Sequence, residues 1–262
     1  RRIGPDGIIT TVQGTNTNDG WGMSVGPDGS VYFTEIYRHR VRKVGPDGIV
    51  KTIAGTGEGG YSGDNGPAIN ARLSHPRGVA VGPDGCVYVA DTGNNCIRRI
   101  GTDGIITTIA GTGIDGFSGD GGLAINAKLS SLRRIAVGPD GTVYIADLYN
   151  NRIRKVNPDG YIMTIAGQTA AGYNGNNYPA AAARLNFPDG LCIGPDGSLY
   201  IADTINNRIR KISPAMPQFD LGDILIPSED GGEVYYFNAY GRHLMTVDAL
   251  TGVTVYAFDY DA

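Results

Sequence analysis

Few residues in this chain carry obvious chemistry. Among 262 residues there are three cysteines, three histidines and one tryptophan. The cysteines, Cys86, Cys96 and Cys192, are too few and odd in number for a disulfide framework. The histidines, His39, His75 and His243, do not make a His-rich metal site. No apolar run approaches the roughly 18–20 residues of a spanning helix, so no membrane insertion is expected of this segment. Positive charge is not in excess: the formal net charge is −4, which gives no general attraction to nucleic acid or anionic lipid. The segment begins at Arg1 without Met or an apolar leader, so any targeting signal is expected outside it. There is no nucleophile elbow, Cys-x-x-Cys pair or phosphate-binding glycine loop.

Glycine is abundant, at 41 residues, but not at every third position, which excludes collagen. It follows a longer period. Val25-Gly-Pro-Asp-Gly29 returns at one constant interval as Val81–Gly85, Val137–Gly141 and Ile193–Gly197. Tyr32, Tyr88, Tyr144 and Tyr200 keep step, as do Glu35, Asp91, Asp147 and Asp203, and Arg42, Arg98, Arg154 and Arg210. A second turn motif follows the first within each unit, at Val44–Gly48, Ile100–Gly104 and Val156–Gly160, and Ile3–Gly7 is a further copy of it.

Each unit reads as four short strands rich in β-branched residues and bounded by Gly, Pro, Asp or Asn. In Gly-Pro-Asp-Gly, proline presets the first corner and the last glycine can take the positive φ of a hairpin bulge. Four antiparallel strands repeated radially make a propeller blade. A long connection leaves each unit, at 54–76, 110–132 and 166–188. Its first half is Gly-rich and its second half, as in Pro67–Leu73, is expected to form a short helix over one rim.

Tyr88-Val-Ala-Asp-Thr-Gly-Asn-Asn-Cys-Ile-Arg98 and its copies resemble the NHL repeat. Tyr61-Ser-Gly-Asp-Asn-Gly-Pro-Ala68 and Phe117-Ser-Gly-Asp-Gly-Gly-Leu-Ala124 look like the long-loop variety of teneurin-like proteins. The resemblance implies an all-β, six-bladed propeller, of which residues 1–212 supply four first-strand copies and an orphan hairpin at 1–14. The period stops after Lys211, leaving 213–232 as a linker. Residues 233–262 then read as a β-meander with turns at Ala239–Gly241 and Leu250–Gly252. It resembles the start of an RHS/YD-repeat array through Phe237-Asn238, Gly241-Arg-His-Leu244 and Tyr260-Asp261. Such an array builds a β-shell in that family, in some members around a toxin, with the propeller as a recognition or plugging module.

The acidic set Asp91, Asp147 and Asp203, with Arg98, Arg154 and Arg210, recurs in every blade. A catalytic constellation needs unlike residues converging once, so the set is read as structural: each Asp caps a turn and offsets its Arg. Asp64 and Asp120 raise calcium as a ligand, but their spacing is not that of a calcium loop and the third copy carries Asn176. Function is expected where blades differ. Trp21, Arg77, Arg133 and Asp189 occupy one repeat position and Arg134 the next, at one mouth of the channel lined by the first strands. An indole, three guanidinium groups and a carboxylate make a contact surface for an acidic or aromatic protein partner, unless the arginines pair with loop carboxylates.

The leading expectation is therefore a non-enzymatic binding or scaffold propeller of a large secreted or cell-surface RHS/YD-repeat protein, with no catalytic residues, cofactor or resident metal. Its partner would be another protein or the YD shell of the same polypeptide. The rival is a propeller lyase or hydrolase holding a metal in the channel, as some NHL-like members do.

Overall fold

The computed structural model describes residues 2–3, 7–12, 19–176, 179–213, 224–228, 232–237, 243–248 and 254–257. The chain divides into two compact units, Arg1–Ser213 and Pro214–Ala262.

The first unit is all β with short 3₁₀ turns. It opens on a hairpin of β1 (Arg2–Ile3) and β2 (Ile9–Thr10). Blade 1 is β3 (Gly20–Val25), β4 (Val31–Glu35), β5 (Arg40–Val44) and β6 (Val50–Ala54). A two-residue strand, β7 (Gly66–Pro67), precedes blade 2, which is β8 (Pro76–Val81), β9 (Val87–Asp91), β10 (Cys96–Ile100) and β11 (Ile105–Ala110). Blade 3 is β12 (Leu132–Val137), β13 (Val143–Asp147), β14 (Arg152–Val156) and β15 (Ile162–Gly167). Blade 4 contains β16 (Pro188–Ile193), β17 (Leu199–Asp203) and β18 (Arg208–Ile212). Every blade is an antiparallel meander, and β7 adds a fifth strand to the outer edge of blade 2. The four blades form a propeller arrangement in which first strands pack in sequence, β3 on β8, β8 on β12 and β12 on β16. The six-bladed ring implied by the NHL resemblance is larger than these four.

The turns explain the period. Gly29, Gly85, Gly141 and Gly197 have φ of 74°, 78°, 82° and 72°, a region that side chains with a Cβ resist. The aspartate before each glycine takes the backbone N–H two residues on, as in Asp84 Oδ1 from Cys86 at 3.0 Å. The N-terminal hairpin pairs Ile3 with Ile9 and Arg2 with Thr10. Blade 2 pairs Ile100 with Ile106 and Arg99 with Thr107. The same register marks β1–β2 as the outer hairpin of a blade, as its sequence suggests.

The cores lie between blades. Leu73, Leu129 and Leu185, one from each repeat, are buried at the junctions of blades 1–2, 2–3 and 3–4. All three come from the long connections, where each short helix is a 3₁₀ turn: Ala68–Asn70, Ala124–Asn126 and Ala180–Ala182. Each such leucine contributes roughly 1.5–3 kcal/mol by leaving water. The connection also grips the outer strand of the blade it leads into. Asn65 N donates to Ile106 O at 2.8 Å and Ala68 N to Gly104 O at 2.9 Å. One repeat on, Gly121 N donates to Ile162 O and Ala124 N to Gly160 O, both at 2.8 Å.

The second unit is an antiparallel sheet of β19 (Ile224–Pro227), β20 (Glu233–Phe237), β21 (His243–Asp248) and β22 (Thr254–Ala257). Thus the stretch 213–232, expected as a linker, includes a strand that pairs with β20. The turns Ala239–Gly241 and Leu250–Gly252 and the motif residues Asn238, Gly241, Arg242, Tyr260 and Asp261 lie outside the described residues.

Candidate functional site at the channel mouth

Two kinds of arginine occur in the first unit, those paired with carboxylates and those held by aromatic rings or carbonyl oxygens, as Arg152 is by Phe117 and Asn150 O. In blade 2, Arg98 and Asp91 are both fully buried and Arg98 Nη1 lies 3.3 Å from Asp91 Oδ2. Asp91 also accepts Ser74 N at 2.6 Å and Asn94 Nδ2 at 2.8 Å. Arg98 Nη2 donates to Asp64 Oδ1 at 2.8 Å and Ser62 O at 3.1 Å, and its guanidinium lies 4.8 Å from the Tyr61 ring centre. The Gly-rich loop is thus clipped to the blade. Blade 3 repeats the arrangement with Arg154, Asp147, Asp120 and Phe117. Burial pushes the Asp91 and Asp147 carboxyls up to about 6, against the downward pull of the Asn, backbone N–H and Arg donors. In blade 4, Arg210 keeps Asp203 at 3.4 Å and Gly175 O at 3.0 Å, Asn176 standing where the loop carboxylate would be. Asp64 and Asp120, weighed above as calcium ligands, are held by guanidinium groups. Among the described residues no group of three or more His, Cys, Asp or Glu is placed to hold a metal.

Blade 1 diverges. Glu35 replaces the aspartate and collects Arg38 at 3.3 Å, Arg40 at 3.0 Å and Arg42 at 3.4 Å, while Lys43 pairs with Asp28 at 2.9 Å. The four cations of the run 38–43 thus share two carboxylates within their own blade.

The mouth residues differ. Each first strand shifts register at its start, between Gly20 and Met23, Pro76 and Gly78, Leu132 and Ile135, and Pro188 and Gly190. Trp21, Arg77, Arg133, Arg134 and Asp189 sit within or at these irregularities, and a bulge re-aims the side chains it carries. The repeat gives Trp21, Arg77, Arg133 and Asp189 one position, but nothing in their types announces a bulge. Glycine draws the strands together: a Cβ on Gly22 would collide with the Arg77 carbonyl oxygen, and one on Gly78 with that of Arg133. Buried Thr34 joins blades 1 and 2, accepting Gly22 N at 2.9 Å and donating to Arg77 O at 3.1 Å.

At this mouth Trp21 is 49% exposed. The Arg77 guanidinium lies 5.2 Å from its ring centre, a cation–π distance, and Arg134 Nη1 donates to the Trp21 carbonyl at 3.3 Å. The residue types along the same strands, Met23-Ser24, Val79-Ala80, Ile135-Ala136 and Leu191-Cys192, include no imidazole or carboxylate.

Repeated four-stranded blades with loops clipped over their outer strands define a β-propeller of the NHL type. The sequence profile of the Teneurin NHL domain matches residues 54–114, 110–157 and 150–213, and that of the Teneurin YD-shell matches 222–262. Teneurin-m of Drosophila melanogaster is 27% identical over 356 aligned residues covering all of this chain and 13% of its own length. Teneurin-1 of Mus musculus is 34% identical, covering 76% of this chain and 8% of its own. The chain belongs to the teneurin family. It spans only about a tenth of the length of these relatives. Among solved structures, a structural-genomics protein of unknown function from Bacteroides thetaiotaomicron superposes with a TM-score of 0.59 at 23% identity, over 73% of this chain and 46% of that one. A streptogramin B lyase does so at 0.50 and 15%, over 89% and 70%. Identities this low speak for the fold alone.

Proposed function

We propose that this segment is the non-enzymatic recognition module of a secreted or cell-surface teneurin-like protein, presenting the channel mouth to a protein partner, with the YD-shell stretch as its partner within the same polypeptide. One observation carries the reading: half-exposed Trp21 has Arg77 over its ring and Arg134 on its carbonyl, with Arg133 at the register shift of blade 3. Tryptophan and arginine are the residues most enriched in binding hot spots. Rigid backbones lower the ordering cost of association. Family membership supports the class of protein, and the apolar inner strands favour binding over metal-assisted hydrolysis or elimination. Among the described residues no helix is long and apolar enough to cross a membrane.

The test is binding of the whole chain, multimerised, to a panel of cells. Trp21→Ala and Arg133→Glu are each expected to lower binding at least about tenfold, a hot-spot-sized loss. The thermal melting transition is expected to move by less than about 2 °C, as for surface substitutions. Unchanged binding by both variants overturns the reading. Metal analysis of the purified chain checks the rival: stoichiometric zinc or calcium would restore a propeller enzyme.

A further inference from the structure

Resting on the mouth as a recognition surface, we propose that Arg77 and Arg134, which contact Trp21, together with Arg133 beside Arg134 on β12, form a subsite for the carboxylates of an acidic peptide segment. The observation behind this is how the arginines are partnered. Among the described residues Arg152 and Arg208 form no ion pair but lie over the Phe117 and Tyr173 rings and donate to Asn150 O and Asn206 O. Arg184 is exposed, and most others meet a carboxylate. Arg38, Arg40 and Arg42 share Glu35; Arg98 and Arg154 each have two carboxylates; Arg72 pairs with Glu58 and Arg99 with Asp84. Among the described residues Arg77, Arg133 and Arg134 make no ion pair, Asp189 included, although all are half-buried. Arg77 rests on the indole and Arg134 spends one donor on the Trp21 carbonyl. A guanidinium offers five N–H donors in a planar fork suited to a carboxylate, so most of the donors here remain for a ligand.

The chemistry also selects among anions. The whole chain carries a net charge of −4 and Asp189 belongs to the same ring, so a long polyanion would meet repulsion around the mouth. A short acidic peptide places a few carboxylates on the forks and its aliphatic stems against the indole. Gly22 and Gly78 let the backbones of the three strands that carry these residues approach closely.

Trp21 is the chain's one tryptophan, so its emission reports on this mouth directly. The experiment titrates the whole chain with a hexaglutamate peptide, with hexaglutamine, heparin and inorganic phosphate as parallel arms. The expected result is a saturable change in emission with hexaglutamate, none with hexaglutamine, and affinity that falls as salt rises. Arg133→Gln is expected to weaken hexaglutamate binding at least about tenfold, and Arg134→Gln serves as a second variant should the first not fold. A response to heparin or phosphate without one to hexaglutamate overturns the acidic-peptide assignment. Silence towards every anion, or binding that both Gln variants retain, overturns the subsite altogether. The cell-binding result for Trp21→Ala is independent of these arms, so failure here leaves the recognition reading separately tested.

Discussion

His39 Nδ1 accepts the backbone N–H of His75 at 3.1 Å. In the next two repeats an asparagine makes the same contact: Asn95 Oδ1 accepts Ser131 N at 3.3 Å and Asn151 Oδ1 accepts Phe187 N at 3.1 Å. All six residues have left-handed backbones, with φ between 46° and 54°. The contact pins the turn of one blade to the connection entering the next, and in blade 1 it requires a neutral imidazole with its lone pair on Nδ1.

The junction of blades 1 and 2 is therefore expected to weaken in acid. Partial burial and the neighbouring His75 ring, 4.7 Å away, hold His39 below its ordinary range, opposed by the Asp19 carboxylate. A folded-state pKa below the unfolded one, ordinarily about 6.5, means stability that is present above that pH and is lost as pH falls through the folded value. Losing this hydrogen bond costs about 1 kcal/mol, a drop of roughly 2–4 °C in a domain this size. Thermal melts from pH 7.5 to 5 should show that component, and His39→Asn should abolish it while preserving stability at pH 7.5. An identical acid slope in the variant would refute the assignment.

Arg154 and Arg210 hold the same repeat position with unequal partners. Arg154 is fully buried between Asp147 and Asp120, whereas Arg210 is 14% exposed and has one carboxylate. Arg154→Ala leaves Asp147 buried without its counter-charge and is expected to cost about 3–5 kcal/mol. Arg210→Ala should cost clearly less, because water already reaches its guanidinium. Urea denaturation of the two variants side by side measures the difference; equal losses would mean that the loop carboxylate adds nothing.

Two glycines should fail for different reasons. Gly85→Val forces a β-branched residue into φ +78°, and is expected to cost more than about 1 kcal/mol through local strain. Gly78→Ala has no such backbone penalty, but its methyl group meets the Arg133 carbonyl and Ala90. Its effect should appear as separation of blades 2 and 3, with slowed amide exchange lost in β8 and β12. For Gly85→Val the loss should be confined to the β8–β9 turn.

Much of this was legible in the primary structure because hairpin turns have strict chemistry. Pro27 and Gly29 announce their corner, and the even spacing of such corners announces the blade. Interactions across the period were not legible. Nothing near Arg98 in sequence points to Asp64, which lies on the far side of the preceding connection. The spacing of Ala68, Ala71 and Leu73 reads as a local helix although all three are buried in the core between blades 1 and 2. At the mouth, Trp21, Arg77, Arg133 and Asp189 could be singled out from their shared repeat position alone. The register shifts that project them, the stacking of Arg77 on Trp21 and the missing counter-charges depend on strand pairing and packing, which residue types alone do not encode.

The forward grip of each connection gives the chain a direction. Asn65 and Ala68 belong to the segment leaving blade 1 yet seal the edge of blade 2, with Leu73 buried at the junction, and Gly121, Ala124 and Leu129 do the same one step on. The blades overlap like roof tiles, each course fixed beneath the tail of the one before. A cut made anywhere in the repeat, with one whole period removed or added, regenerates the same overlap at the seam. Blade number can therefore change by whole units without a new junction having to be invented.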